Sequence, residues 1–412
     1  MVQTNFVGNQ EMEKEQIVRK RIKTIDYMRS ISMFFVFYCH FAVNWRGEGW
    51  VSWIRLQWTA LDFLGITSFI GLSILGSLMS HFSRMEKGDN RLITKKIILR
   101  ASFFFILGEI YNLIGIGYMG VFHFFGANIF YTLTIFSLLL SFFMRLDYRI
   151  KLVIVAIITF TYYPLLNWAW GGLQAAGISP EAIQIEHMQD PRILVYYMIL
   201  DHRAMSPLYP WLVLPLLITI VFGRIMKVFK TAHKEELHKE TKKILLVGIA
   251  LVVINMITGY QLTQGYIVHD FLELIQPGFF ITWPLKEGLP LFWVRNSIRM
   301  ILYNFGWFCI IFYVISWIQF VKERKFPWED KMMAFGNLSI TGFFLSLIAY
   351  TVKLRLPWPI FYAIFIPIFI IIVNTFYYWT VKYKAKFSLE WLLVVYTTII
   401  SNLGKGKKKK GD

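Results

Sequence analysis

The residues best suited to chemistry lie on one apolar stretch, Ile25 to Phe41, which carries Asp26 and Arg29 at its start and His40 deep inside. Eleven residues at 3.6 per turn bring Arg29 and His40 to nearly the same helix face, about 16 Å apart along the axis. A guanidinium binds oxyanions, and an imidazole moves protons or carries a group between two partners. A carboxylate with matching depth comes from the next apolar stretch, Trp58-Thr-Ala-Leu-Asp62, where Asp62 lies about as far from the outer end as His40 does. Such a carboxylate would orient the imidazole and support its charged form. By the 100° rule, Asp62 shares a face with Gly65, Ser73, Gly76 and Ser80, small residues that allow close helix approach or a channel. A structural reading stands beside this one, with Arg29 as a topology anchor, His40 bonded to a neighbouring helix and Asp62 at the water interface.

A second cluster sits on the third apolar stretch, where Lys96 and Arg100 are one turn apart. The first and third stretches both start on the same side, so their N-terminal dipoles and three cationic groups form a candidate phosphate site. A nucleotide-bearing donor such as an acyl-coenzyme A suits that arrangement, its thioester arm directed toward His40. Arg295 and Arg299, an i, i+4 pair near the outer end of a later stretch, are candidates for holding an anionic acceptor, or for pairing with acidic outer loops. Glu109, Asn112, His123 and Asn128 are further polar groups inside apolar stretches. No metal is called for.

The elements that carry these groups follow from composition. With 412 residues, 56% hydrophobic and 18% aromatic, the chain has more apolar side chain than a soluble domain of its length can bury. The pattern predicts an all-α, polytopic integral membrane protein. Spans are expected near 27–45, 58–82, 97–116, 120–144, 150–170, 208–226, 243–262, 291–320, 332–352 and 357–381, about ten in all. Residues 388–400 read as a C-terminal interfacial helix or a short eleventh span. The net charge of +18 does not point to nucleic acid, because the basic residues fall between the apolar runs. They concentrate in alternate connections: Arg19 to Lys23, Arg84 to Lys96, Arg145 to Lys151, Arg224 to Lys243, Lys322 to Lys331, and the tail from Lys405. The opposite connections keep Arg46, Arg55, Arg192, Arg203, Lys286, Lys353 and Arg355. The positive-inside rule then places both termini in the cytoplasm of a multi-pass cell-membrane protein. The chain divides into a basic N-terminal segment (1–23), read as leading into an uncleaved signal anchor, one transmembrane domain (24–403) and a Lys-rich tail (404–412).

Arg29, ten residues and His40 resemble the signature of the membrane acyltransferase-3 family, and the continuation resembles the catalytic domain of heparan-α-glucosaminide N-acetyltransferase and related bacterial membrane proteins. Asp62 with its glycine-rich helix, Lys96 to Gly108, Gly120 to Gly126, Ser206 to Trp211, Gly336 to Gly342 and Phe387 to Trp391 carry the likeness onward, over about residues 21–395. Ser30, Phe124 and Ser346 depart from it, where the pattern has a glycine, a basic residue and a late histidine. The resemblance implies transfer of an acyl group, usually acetyl, from cytoplasmic acyl-CoA to a hydroxyl or amine of a glycan or lipid-linked acceptor across the membrane. On that reading His40 and Asp62 are catalytic, and Arg29, Lys96 and Arg100 bind the donor. A transporter or lipid-handling protein, and a family member without catalysis, are the rivals. Oligomeric state is left open, a dimer being one option. Topology is testable first: cysteines at 227–243 and 405–412 should label only from the cytoplasm and those at 171–207 only from outside. Exterior labelling of 227–243 would overturn the arrangement.

Overall fold

The structure, a computed structural model, describes residues 23–45, 61–85, 90–115, 128–178, 183, 185–200, 207–231, 234–261, 291–293, 297–352 and 354–402. Among these it is all-helical, without a β-strand. The main helices are α1 (Lys23–Trp45), α2 (Ile66–Met85), α3 (Asn90–Gly115), α4 (Ile129–Arg145), α5 (Tyr148–Ala176), α6 (Val213–Thr231), α7 (Lys234–Gln261), α8 (Ile298–Ser316), α9 (Glu329–Asn337), α10 (Ser339–Leu345), α11 (Trp358–Tyr383) and α12 (Leu389–Asn402). Among the described residues, six helical stretches are long and apolar enough to cross a membrane: Asp62–Ser80, Tyr148–Ala176, Leu208–Ile225, Glu235–Thr258, Ile298–Val321 and Trp358–Tyr383.

Helix α1 lies at the centre, packed against α2, α8, α9, α10 and α11. It is apolar on nearly every side, as a helix surrounded by others must be. Its aromatic residues interlock with α11 through Tyr38 with Phe361, and Phe34 with Phe369. By contrast α5, α7 and α11 turn large apolar side chains outward, with Phe160 79%, Leu246 66% and Ile371 63% exposed. That pattern suits hydrocarbon, where outward apolar side chains cost nothing and backbone groups must be satisfied within the helix.

The six set against about ten expected spans leave that count open, and one expected span is interrupted. Residues 332–352 read as a single span, yet the chain forms α9, α10 and a short piece, Ile348–Thr351, with breaks at Leu338 and at Ser346–Leu347. The sequence Gly336-Asn-Leu338 weakens the helix there, and Leu338 leaves helical geometry at φ −100°, ψ 34°. The apolar run continues through both breaks, so hydropathy alone does not mark them. After α11, Lys384, Ala385 and Phe387 adopt left-handed backbone at φ 51°, 54° and 67°. Each costs about 1–2 kcal/mol for a residue with a Cβ. The turn directs α12 back along α3, where Lys95 Nζ donates to Ser401 O at 3.4 Å and Tyr396 meets Ser102 Oγ at 3.1 Å. In the connection between α5 and α6, Asp190 caps the short helix Pro191–Val195 and takes the Arg192 guanidinium, whose hydrogen bonds hold its carboxyl below the ordinary range.

Close approach of α9 to α1 depends on Gly336, where a Cβ would collide with the Asp26 carbonyl and crowd Ser30 N at 3.1 Å. Gly336→Ala should therefore lower stability by about 1–3 kcal/mol. Gly171→Ala, in α5 with open space at the Cβ position, should be neutral or stabilising by up to about 1 kcal/mol. Thermal unfolding of both purified variants in one detergent measures the contrast.

Candidate functional site

The i, i+4 spacing on α3 brings Lys96 and Arg100 to one cavity of about 220 Å³, closed by Ser77 and Ser80 of α2, Ser137 of α4, and Leu393, Val394 and Thr397 of α12. The α3–α12 contacts described above hold this wall in place. Beyond Ser77, Arg100, Ser137 and Leu140, the side chains of Ser73, Phe104, Leu133 and Phe136 pack too closely to admit a water-sized molecule. The Arg100 guanidinium stands 5.2 Å from the Phe104 ring centroid, a cation–π contact that fixes its plane. Two cationic groups together with hydroxyls on three helices have the chemistry to hold an anion.

Arg29 packs against α2 at Leu72 and Gly76 and is not among the residues lining that cavity. Its Nη2 donates to Leu72 O at 3.2 Å, and its guanidinium rests against Gly76, which no residue with a Cβ could replace without moving it. Its Nη1 is 3.9 Å from the Asp26 carboxylate, which is almost fully buried. The sequence thus places three cations near one end, and the fold gathers Lys96 and Arg100 while pairing Arg29 with Asp26.

His40 is 8% exposed, and its Nδ1 lies 2.6 Å from Ser346 Oγ at the end of α10. That hydroxyl donates to Phe343 O at 2.6 Å, and the Phe343 ring meets the imidazole edge-on at 5.5 Å. The expected neighbour of the ring, Asp62, occupies the turn before α2, where its Oδ2 accepts from Asn304 Nδ2 of α8 at 2.7 Å. Asn304 also reaches Thr67 Oγ1 at 3.3 Å. Between the cavity and His40 runs a series of rings: Phe104 to Phe130 at 6.4 Å, Phe130 to Phe343 at 5.3 Å, with Tyr111 and Phe69 flanking Phe343.

The remaining polar groups have local partners. Arg299 Nη1 donates to Thr258 Oγ1 at 2.7 Å, tying α8 to α7, whereas Arg295 lies outside the described residues. Glu109 accepts from the Tyr131 hydroxyl at 2.7 Å. Asn128 caps α4 and donates to Gly108 O, while His123 lies outside the described residues.

Three residues that sequence reasoning did not assign to the site matter to its geometry: Ser346, Asn304 and Glu390. The Glu390 carboxylate reaches from α12 to the first turn of α10, accepting from Ile340 N at 2.5 Å, Thr341 N at 3.2 Å and Thr341 Oγ1 at 2.6 Å. A lone acidic residue in the apolar run 388–400 was the available signal for it. Set against models of protein families, curated proteins and solved structures, the chain matches none of them.

The Asp26–Arg29 pair predicts an asymmetric mutational cycle. Arg29→Ala removes the guanidinium from a buried carboxylate and should cost about 1–3 kcal/mol of unfolding free energy. Asp26→Asn in that background should recover part of the loss, because a neutral amide is cheaper to bury. Thermal or denaturant unfolding of the four proteins checks this, and strictly additive losses would show that the pair is not coupled.

Proposed function

We propose that the protein is a multi-pass membrane acyltransferase that moves an acyl group, acetyl in the simplest case, from cytoplasmic acyl-CoA to a hydroxyl or amine of a glycan or lipid-linked acceptor at the outer face. The observation that supports it is the cavity in which Lys96 and Arg100 converge with hydroxyl-bearing side chains of α2, α4 and α12. In this reading the chain crosses the cell membrane about ten times, with both termini in the cytoplasm. At 220 Å³ the cavity is smaller than the roughly 300–1,000 Å³ typical of small-molecule sites. It therefore suits the phosphate groups and part of a slim arm, not a whole nucleotide. Lys96 and Arg100 hold phosphate, and Arg29 orders α2 behind them. His40 takes a proton from the acceptor or briefly carries the acyl group, and Asp62 orders the turn beside it. The rings of Phe104, Phe130 and Phe343 must part for donor and His40 to meet. Arg295 and Arg299 remain the proposed contacts for an acceptor.

A second reading, transport, is favoured by the interruption between α9 and α10, since broken helices line substrate sites in many transporters. Purified protein, labelled acetyl-CoA and a membrane glycan extract separate the two. Arg100→Ala and Lys96→Ala should each weaken acetyl-CoA binding by about 2–3 kcal/mol, and Arg29→Ala by less. His40→Ala should retain binding while transfer falls by at least about 10²-fold. Full transfer by folded His40→Ala protein would end the mechanism. No transfer by the parent to any acceptor, with labelled solute taken up by proteoliposomes, would favour transport.

A further inference from the structure

Ser346 Oγ lies 2.6 Å from His40 Nδ1 and 2.6 Å from the Phe343 carbonyl oxygen. A hydroxyl has one hydrogen and a carbonyl has none, so the short contact between the two oxygens requires the serine hydrogen there. The serine then presents a lone pair to the imidazole, and the ring must supply the proton between Oγ and Nδ1. We propose that Ser346 is a positioning residue that sets the tautomer of His40, keeping the proton on Nδ1 and leaving the lone pair of the neutral ring on Nε2.

The setting makes this preference strong. Ser346 is fully buried and His40 nearly so, which removes competition from bulk water and strengthens each hydrogen bond. The hydroxyl is also carried by a fixed element. Glu390 holds the first turn of α10, and at the other end Ser346 N donates to Gly342 O at 3.0 Å while its carbonyl accepts from Ala349 N at 3.1 Å. The Phe343 ring edge against the imidazole restricts rotation that would exchange the two nitrogens.

The use of this tautomer rests on the reading of His40 as the reactive group, whereas the tautomer itself does not. In that reading Nε2 accepts the proton of the acceptor hydroxyl as the acceptor oxygen bonds to the acyl carbon. The carbon–sulfur bond of the thioester breaks, and the departing thiolate takes the proton back from Nε2. Throughout, Nδ1–H stays on Ser346, which accepts a hydrogen bond from the neutral ring and from the imidazolium alike.

Nitrogen-15 NMR of histidine-labelled full-length protein in detergent at about pH 8, above the ordinary imidazole range, tests the assignment, with His40→Gln identifying the signals. The parent should show a protonated, pyrrole-type Nδ1 and a pyridine-type Nε2. Ser346→Ala should shift the ring toward the other tautomer or a mixture, and Ser346→Thr should restore the parent pattern. Transfer should fall about 10- to 100-fold in Ser346→Ala with acetyl-CoA binding unchanged, and recover in Ser346→Thr. A pyridine-type Nδ1 in the parent overturns the proposal without any variant, and so does an unchanged pattern in folded Ser346→Ala. The expected nitrogen pattern in a parent that transfers to no acceptor would uphold the role of Ser346 and overturn the enzyme reading alone.

Discussion

The structure depends on the cost of burying polar groups on its central helix. Thr24, Asp26, Ser30, Ser32 and His40 are all buried on α1, in surroundings where an unpartnered polar group costs several kcal/mol. Each is met by a different neighbour. Thr24 donates to Gln319 at 2.8 Å, Asp26 faces Arg29, and Ser30 approaches the Met332 sulfur at 3.5 Å. Ser32 donates to Gly65 O at 3.1 Å, and His40 meets Ser346. At the C-terminal end of α1, Leu356 N donates to Trp45 O at 2.8 Å. Apart from the Asp26–Arg29 pair, which lies within α1, these contacts specify which face of α1 meets which helix, a task that apolar packing alone performs poorly because one apolar face resembles another.

The broken helix follows from the same requirement. A continuous helix over 332–352 would satisfy its own backbone but would carry Ser346 in helical register. The break at Leu338 frees the N–H groups of Ile340 and Thr341, which an apolar interior would penalise, and the Glu390 carboxylate takes both. Leaving those two N–H groups buried and unpartnered would cost about 1–3 kcal/mol each, comparable with the cost of the left-handed turn that delivers α12 to that position. The C-terminal segment thus does two jobs, closing the cavity at Leu393, Val394 and Thr397 and clamping the element that presents Ser346 to His40.

The helical class and most helix positions were legible because long apolar runs between basic clusters report a hydrocarbon environment directly. The Lys96–Arg100 pairing was legible as well, since i, i+4 spacing fixes a shared face whatever surrounds it. The break at Leu338 was not, because hydropathy does not register backbone continuity and the residues on both sides are apolar. The partners of His40, Asp62 and Ile340 lie hundreds or tens of residues away in Ser346, Asn304 and Glu390, and depth matching along two helices cannot choose among partners on a third. Depth matching could pair His40 with Asp62 but could not point to Ser346, whose hydroxyl the fold brings to Nδ1.

The division of the polar groups between two regions has an electrostatic consequence. Arg29 and His40 share a helix face about 16 Å apart, so at an effective dielectric of about 20 a charged imidazole would be repelled by the guanidinium by roughly 1 kcal/mol. Asp26, beside Arg29, offsets most of even that, since two opposite charges a few Å apart act at this distance as a dipole. Lys96 and Arg100 are set off from His40 by the Phe104–Phe130–Phe343 series, whose rings bring no charge and exclude water. The cationic cavity and the imidazole are therefore only weakly coupled electrostatically. Binding an anion at the cavity would change the field at His40 by an amount that the local contacts of Ser346 and Phe343 exceed, so the local hydrogen bond and not the distant charges sets how the imidazole is presented.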